Sequence, residues 1–256
     1  MNRLRAEFLK LRASRTAWIA TGVLLALHVL VQWQALGLTR DAVDAIAPDG
    51  TIEVFIGERQ PAARAILDLT AGSSLQMCLF LPVLGAILGG HEARRLGAAL
   101  LAVPRRTVLF AAKTVAAAAW LLCTGALVSL GSLLFTWLAI RGWNPGLLRT
   151  TVVPQLQFVG YALLYSLLGY AFALAGRGVL AGLLGIVAVT AATMTQAAPH
   201  WLDALLPLSA GRNLLLDPHV DGSLSSGPAV AVLVTVGWAV LTLTAAGLVL
   251  HRRDVP

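Results

Sequence analysis

Charge is scarce in this chain of 256 residues, where 19 basic and 12 acidic side chains make up 12% of the sequence. That is about half the share found in soluble domains and excludes an ordinary water-soluble globule. Lysine is almost missing. Lys10 and Lys113 are the only two, and neither closes a glycine-rich loop of the kind that cradles phosphate, so no ATP-hydrolysing motif is present. Catalytic signatures are lacking as well. His91-Glu92-Ala93-Arg94-Arg95 begins like the zinc motif H-E-x-x-H, but Arg95 stands where the second histidine is needed and would repel a metal. No G-x-S-x-G element occurs, and no aspartate pair lies in the apolar runs. An enzyme is not expected, and neither is a metal or cofactor bound by this chain. The two cysteines, Cys78 and Cys123, fall inside apolar runs and imply no disulfide framework.

What the chain has instead is long stretches without charge. Residues 16–39, 69–90, 114–140, 150–176, 178–199 and 222–250 contain no Asp, Glu, Lys or Arg and run to 24, 22, 27, 27, 22 and 29 residues. A bilayer core of about 30 Å takes about 20 apolar residues as a helix, because backbone amides must be paired within the span. Each run is long enough. The expected fold is therefore an all-α integral membrane protein, one transmembrane domain over residues 1–256, with six spans near 16–36, 73–90, 114–140, 157–176, 178–196 and 230–250. The fourth and fifth are parted only by Gly176-Arg177-Gly178, a sequence suited to a tight turn with a charge to hold it in water. Gly85/Gly89 and Gly178/Gly182, each four apart, would let helix backbones approach closely. Trp18 and Trp33, about 22 Å apart along a helix, suit the two membrane interfaces.

The net charge of +7 suggests nucleic acid until the charges are sorted by side. With a cytoplasmic N-terminus, the inner segments hold 13 basic residues, among them Arg94, Arg95, Arg105, Arg106 and Arg177, and the outer segments hold six against nine acids. The excess of inner basic charge predicts an N-in, C-in topology. The basic balance is then a consequence of topology, and no nucleic-acid partner is expected.

Residues 3–15 place Leu4, Phe8 and Leu11 on one helical stripe among Arg and Lys, the pattern of a helix lying in the inner interface against lipid. Two outer loops are expected, over 39–70 and 197–226, and in the second the spacing of Trp201, Leu202, Leu205 and Leu206 predicts a short helix resting on the membrane. The loop over 91–113 is the most specific feature. Glu92 suits the first turn of a helix that Pro104 ends near Val103, with Leu96, Ala99, Leu100 and Val103 on one stripe and Arg94, Ala98 and Leu101 opposite. Gly97 and Ala98 leave room for a partner to approach.

Three of these stretches carry a family resemblance: RLRAEFLKLRASRTAW at the N-terminus, the loop with Glu92, Gly97, the Ala102-Val103-Pro104-Arg105-Arg106 run and Lys113, and LPLSAGRNLL at Leu206–Leu215. Together they resemble the permease subunits of ABC transporters of the type-2, exporter-like class, closest to small six-span actinobacterial members, although Gly97-Ala98 stands where many members have Gly-Thr. The resemblance implies a permease of the bacterial plasma membrane, paired as a homodimer or heterodimer and driven by separate ATPase subunits that hold the ATP and magnesium. It also implies a coupling helix between spans 2 and 3. Glu92, Arg94, Arg95, Gly97, Ala98, Leu101, Arg105 and Arg106 are the expected ATPase-coupling residues, and Leu4, Phe8 and Leu11 the interface face of the N-terminal helix. The alternative is an ATP-independent carrier or a membrane scaffold. A gradient-driven carrier is disfavoured, since His28 is the one readily titratable group inside the spans.

Overall fold

Helices dominate the computed structural model, which describes residues 2–55, 58–102, 106–140, 143, 145–195, 199–216 and 225–252. In chain order the elements are α1 (Asn2–Arg12), α2 (Arg15–Asp44), β1 (Thr51–Phe55), β2 (Glu58–Pro61), α3 (Ala62–Ala102), α4 (Arg106–Ile140), α5 (Pro145–Ala175), α6 (Val179–Met194), α7 (His200–Asp203), α8 (Pro207–Leu215) and α9 (Pro228–Arg252). Five of these, α2, α3, α4, α5 and α9, are long and apolar enough to cross a membrane. This is the architecture of a helical multi-pass membrane protein. The fifth expected span corresponds to α6, which at 16 residues rises only about 24 Å and is the shortest of the apolar helices.

Three expectations are corrected. The outer segment expected as a loop over 39–70 holds regular structure, since β1 and β2 form an antiparallel hairpin there, with Ile52 opposite Gln60. The turn that leads into β1 follows from Asp49-Gly50: Gly50 takes φ 77°, and Asp49 Oδ1 accepts from the Thr51 amide at 3.0 Å and the Thr51 hydroxyl at 2.7 Å. Secondly, residues 92–102 do not form a separate helix after the second span. They are the last turns of α3, which is continuous for 41 residues, so Glu92 sits mid-helix rather than in a first turn. Thirdly, residues 106–113, expected in a loop, are already part of α4. In both cases charge ends an apolar run without ending a helix.

The core is built on α3 and α5. All three tyrosines of the chain, Tyr161, Tyr165 and Tyr170, lie on α5 and are buried, as are Met77, Cys78, Leu81 and Leu84 on α3. The two helices meet along glycines. A side chain on Gly85 would overlap the Ser166 carbonyl, one on Gly89 the Tyr170 carbonyl, and one on Gly169 the Pro82 carbonyl. This is the close backbone approach that small residues four apart permit. Gly182 packs against Ala86 and Ala173, while its expected companion Gly178 faces open space. By contrast α2, α4, α6 and α9 present leucines, valines and tryptophans outward, including Trp18 and Trp33.

Between α5 and α6 the chain reverses in one turn. Arg177 has φ 61°, the Gly178 amide reaches the Ala173 carbonyl at 3.0 Å, and the Arg177 amide reaches that of Leu174 at 3.4 Å. This is a Schellman ending with arginine in the left-handed position usually given to glycine. Two ends of the bundle are thus defined: one gathers α1, the start of α4, the Arg177 turn and the end of α9, and the other gathers the β-hairpin, α7 and α8.

Candidate functional site

At the α1 end an ion cluster lies inside the protein. Lys113 of α4 is buried and donates from Nζ to Glu7 Oε2 of α1 at 2.9 Å and to Glu92 Oε2 of α3. Glu7 accepts a second bond on Oε1 from Lys10 at 2.7 Å, one turn along α1. Both lysines of the chain are used here, and two carboxylates face two ammonium groups, so the cluster is neutral as a whole. Neutrality matters because an unpaired buried charge costs several kcal/mol, on the order of 3–5 when one partner is removed. Burial pushes the Glu7 carboxyl up, but the hydrogen bonds and charges of Lys10 and Lys113 outweigh it and hold the group below its ordinary value.

The cluster decides how α1 docks. Glu7, Leu11 and Ser14 are the buried positions along it, and Leu4 and Phe8 face outward at 42% and 41% exposure. The expected stripe of Leu4, Phe8 and Leu11 is therefore split: Leu11 packs into the core, and the other two are left for lipid. Ser14 accepts from the Ala17 amide at 3.3 Å and caps α2. Trp18 donates back to the Arg12 carbonyl at 2.8 Å and stands edge-on to Trp120, with ring centroids 4.9 Å apart.

Of the eight expected coupling residues, the structure brings two into internal contacts. Glu92 is buried in the cluster, and Arg106 Nη1 donates to the His251 carbonyl at 3.1 Å and the Leu250 carbonyl at 3.4 Å. Arg106 thereby caps the last turn of α9 with a positive charge, where the helix dipole favours one. The side chains of Arg94, Arg95, Gly97, Ala98 and Leu101 lie outside the described residues, as does all of Arg105. Glu7 and Lys113 are the members that the sequence reading missed as a site. Their signal was the i, i+4, i+7 spacing of Glu7, Leu11 and Ser14, together with a lysine set one residue before a charge-free run.

The opposite end is polar without being charged in its core. Gln32 of α2 donates to Ser132 of α4 at 3.0 Å and to Ser73 of α3 at 3.3 Å, and Ser73 donates to the Thr70 carbonyl at 2.9 Å. Gln155 of α5 donates to Ser74 of α3 at 3.2 Å. Two cavities open beside this network. One of about 510 Å³ lies between α2, the hairpin and α3, and another of about 280 Å³ between α3, α5 and α8, with Asp68 lining both. Helix α8 is buried here, held by Tyr161, whose hydroxyl donates to the Pro207 carbonyl at 2.9 Å.

No family model, curated protein or solved structure matches the chain. The chemistry must be read from the residues alone. Among the described residues no group of three or more His, Cys, Asp or Glu could hold a metal ion. Glu92, the carboxylate of the near-miss zinc motif, is committed to Lys113. What the α1 end can do is transmit position: one ammonium on α4 links the N-terminal helix to the segment that runs on toward residue 102.

Proposed function

We propose that this chain is the permease subunit of an ATP-driven exporter in a bacterial plasma membrane. In this reading the α1 end is cytoplasmic, and a separate ATPase that carries the ATP and magnesium docks against the end of α3 and the α3–α4 connection. A second permease chain, identical or related, completes the path. The observation that carries the proposal is the Glu7–Lys113–Glu92 cluster, because it ties α1 and the basic end of α3 into one unit on which an outside force could act. The excess of arginine at that end supports the orientation. The second support is the pair of cavities at the far end, whose mixed apolar and polar walls suit an amphiphilic cargo better than a small ion.

The test is Ala98→Glu, which places a charge where the coupling helix must meet its ATPase and be desolvated. The variant is expected to insert normally, and to lose both the ATP-hydrolysing subunit on purification and export by intact cells. Purified alone, the chain is expected to hydrolyse no ATP. An Ala98→Glu protein that keeps the ATPase and exports at the parent rate would make the segment a plain connector and favour an ATP-independent carrier or a scaffold.

A further inference from the structure

The smaller cavity at the hairpin end is built from groups that recognise hydroxyls. Its walls come from α3 (Thr70, Ser74), α5 (Thr151, Gln155) and the end of α8 (Leu214–Leu216), with Arg64 and Asp68 toward the start of α3. From Arg64 to Ser74 the α3 wall spans ten residues, about 15 Å, so the cavity descends well below the helix ends. At its base Gln155 is 97% buried and spends its amide N–H on Ser74, while its Oε1 has no partner within the protein. A buried acceptor without a donor is costly, and the cheapest remedy is a donor delivered by whatever fills the cavity. At about 280 Å³ the space is far larger than the ~30 Å³ of a single water and is close to the lower limit of small-ligand pockets.

We propose that this cavity binds a polyhydroxylated group, a sugar or polyol, with one hydroxyl donating to Gln155 Oε1. The choice follows from the wall. A phosphodiester has only acceptor oxygens and cannot supply the donor that the Gln155 oxygen lacks. An ammonium has only donors, and Arg64 stands at the same opening. A hydroxyl of a neutral polyol supplies the donor that the Gln155 oxygen lacks and adds no net charge to a wall that already holds one carboxylate and one guanidinium. The leucines of α8 add an apolar wall on which an attached alkyl chain can lie. The inference is independent of any ATPase partner.

The experiment uses the full chain, purified without sugar detergents and placed in phosphatidylcholine nanodiscs. Three probes are titrated by calorimetry: glucose, hexyl β-glucoside and hexylphosphocholine. Saturable binding of hexyl glucoside is expected, with none of hexylphosphocholine. Tighter binding of hexyl glucoside than of glucose identifies a lipid-borne head group, and equal binding a free sugar; both fit the proposal. Gln155→Leu is expected to weaken glucoside binding about tenfold, while Gln32→Leu, in the separate network with Ser73 and Ser132 and outside the wall of this cavity, changes it by no more than about twofold. If Gln155→Leu does not fold, Leu214→Trp, which narrows the cavity and leaves its hydrogen bonds alone, must give the same loss. Absence of saturable glucoside binding, equal binding of hexylphosphocholine, or unchanged binding in both Gln155→Leu and Leu214→Trp would overturn the proposal.

Discussion

The two ends of the bundle solve the problem of buried polar groups in opposite ways. The α1 end uses full charges, packed closely: Lys113 between two carboxylates, and Arg106 on the carbonyls of α9. The hairpin end relies more on neutral amides and hydroxyls, Gln32 with Ser73 and Ser132 and Gln155 with Ser74, and leaves cavities of about 510 and 280 Å³ beside them, with Asp68 in the walls of both. A charged cluster has few arrangements that satisfy it, so it fixes the relative positions of α1, α3 and α4. A neutral network tolerates a shifted partner at small cost, and a hollow can be refilled. In the proposed reading, the charged end is where a driving partner would act and the hollow end where a cargo would pass.

The seam between α3 and α5 runs under both ends, so breaking it removes the contrast altogether. Gly85→Val drives a side chain into the Ser166 carbonyl, a backbone atom that cannot swing aside. Its expected effect is the largest, loss of the folded protein altogether, read as absence of a cooperative thermal unfolding transition in detergent.

Lys113→Met comes next. It leaves Glu7 and Glu92 buried without their shared cation, and the expected loss is about 3–5 kcal/mol. Replacing all three together, as Glu7→Leu, Lys113→Met and Glu92→Leu, removes the unpaired charges and is expected to restore most of that stability. The same unfolding measurement on the single and triple variants separates a paired-charge cluster from ordinary packing.

At the other end Gln32→Leu exchanges one amide for an alkyl group of similar size and is expected to cost only about 1 kcal/mol, since Ser73 keeps its bond to the Thr70 carbonyl. A loss comparable to that of Lys113→Met would mean that the two ends do not differ in the way described.

The smallest effect is that of pH. Because Glu7 is held below its ordinary value, its contribution is complete above about pH 4.5 and is lost as the pH falls through the lowered folded value. Protease access to α1 is therefore expected to stay flat from neutral pH down to about 5 and to rise only in stronger acid. Release of α1 near pH 6 would show that Glu7 is not held as described.

Much of the frame was legible from charge alone. Each charge-free run contains or overlaps an apolar helix, and the Gly176-Arg177-Gly178 turn was written in its residues. The helix limits were not legible, because Arg94, Arg95, Arg106 and Lys113 interrupt hydropathy without interrupting backbone hydrogen bonding. Strand β1 could have been seen in the Asp49-Gly50 turn and the Thr-Ile-Glu-Val-Phe run after it, but a membrane reading gives such a short segment little weight. The ion cluster joins residues 7, 92 and 113, far apart in sequence. Nothing local distinguishes Lys113 buried between carboxylates from a lysine at a basic membrane edge. Helix α8 shows the reverse case: its residues were noticed as a motif, yet only packing reveals that Tyr161 draws them inward.

The central claim is that the stiff, basic end and the hollow end face different compartments. Single cysteines at positions 98 and 49, in a background with Cys78 and Cys123 replaced, are treated with a membrane-impermeant maleimide on intact cells and again after lysis. The account predicts that position 49 labels on intact cells and that position 98 labels only after lysis. Labelling of position 98 on intact cells, with position 49 protected, would invert the molecule and contradict the account.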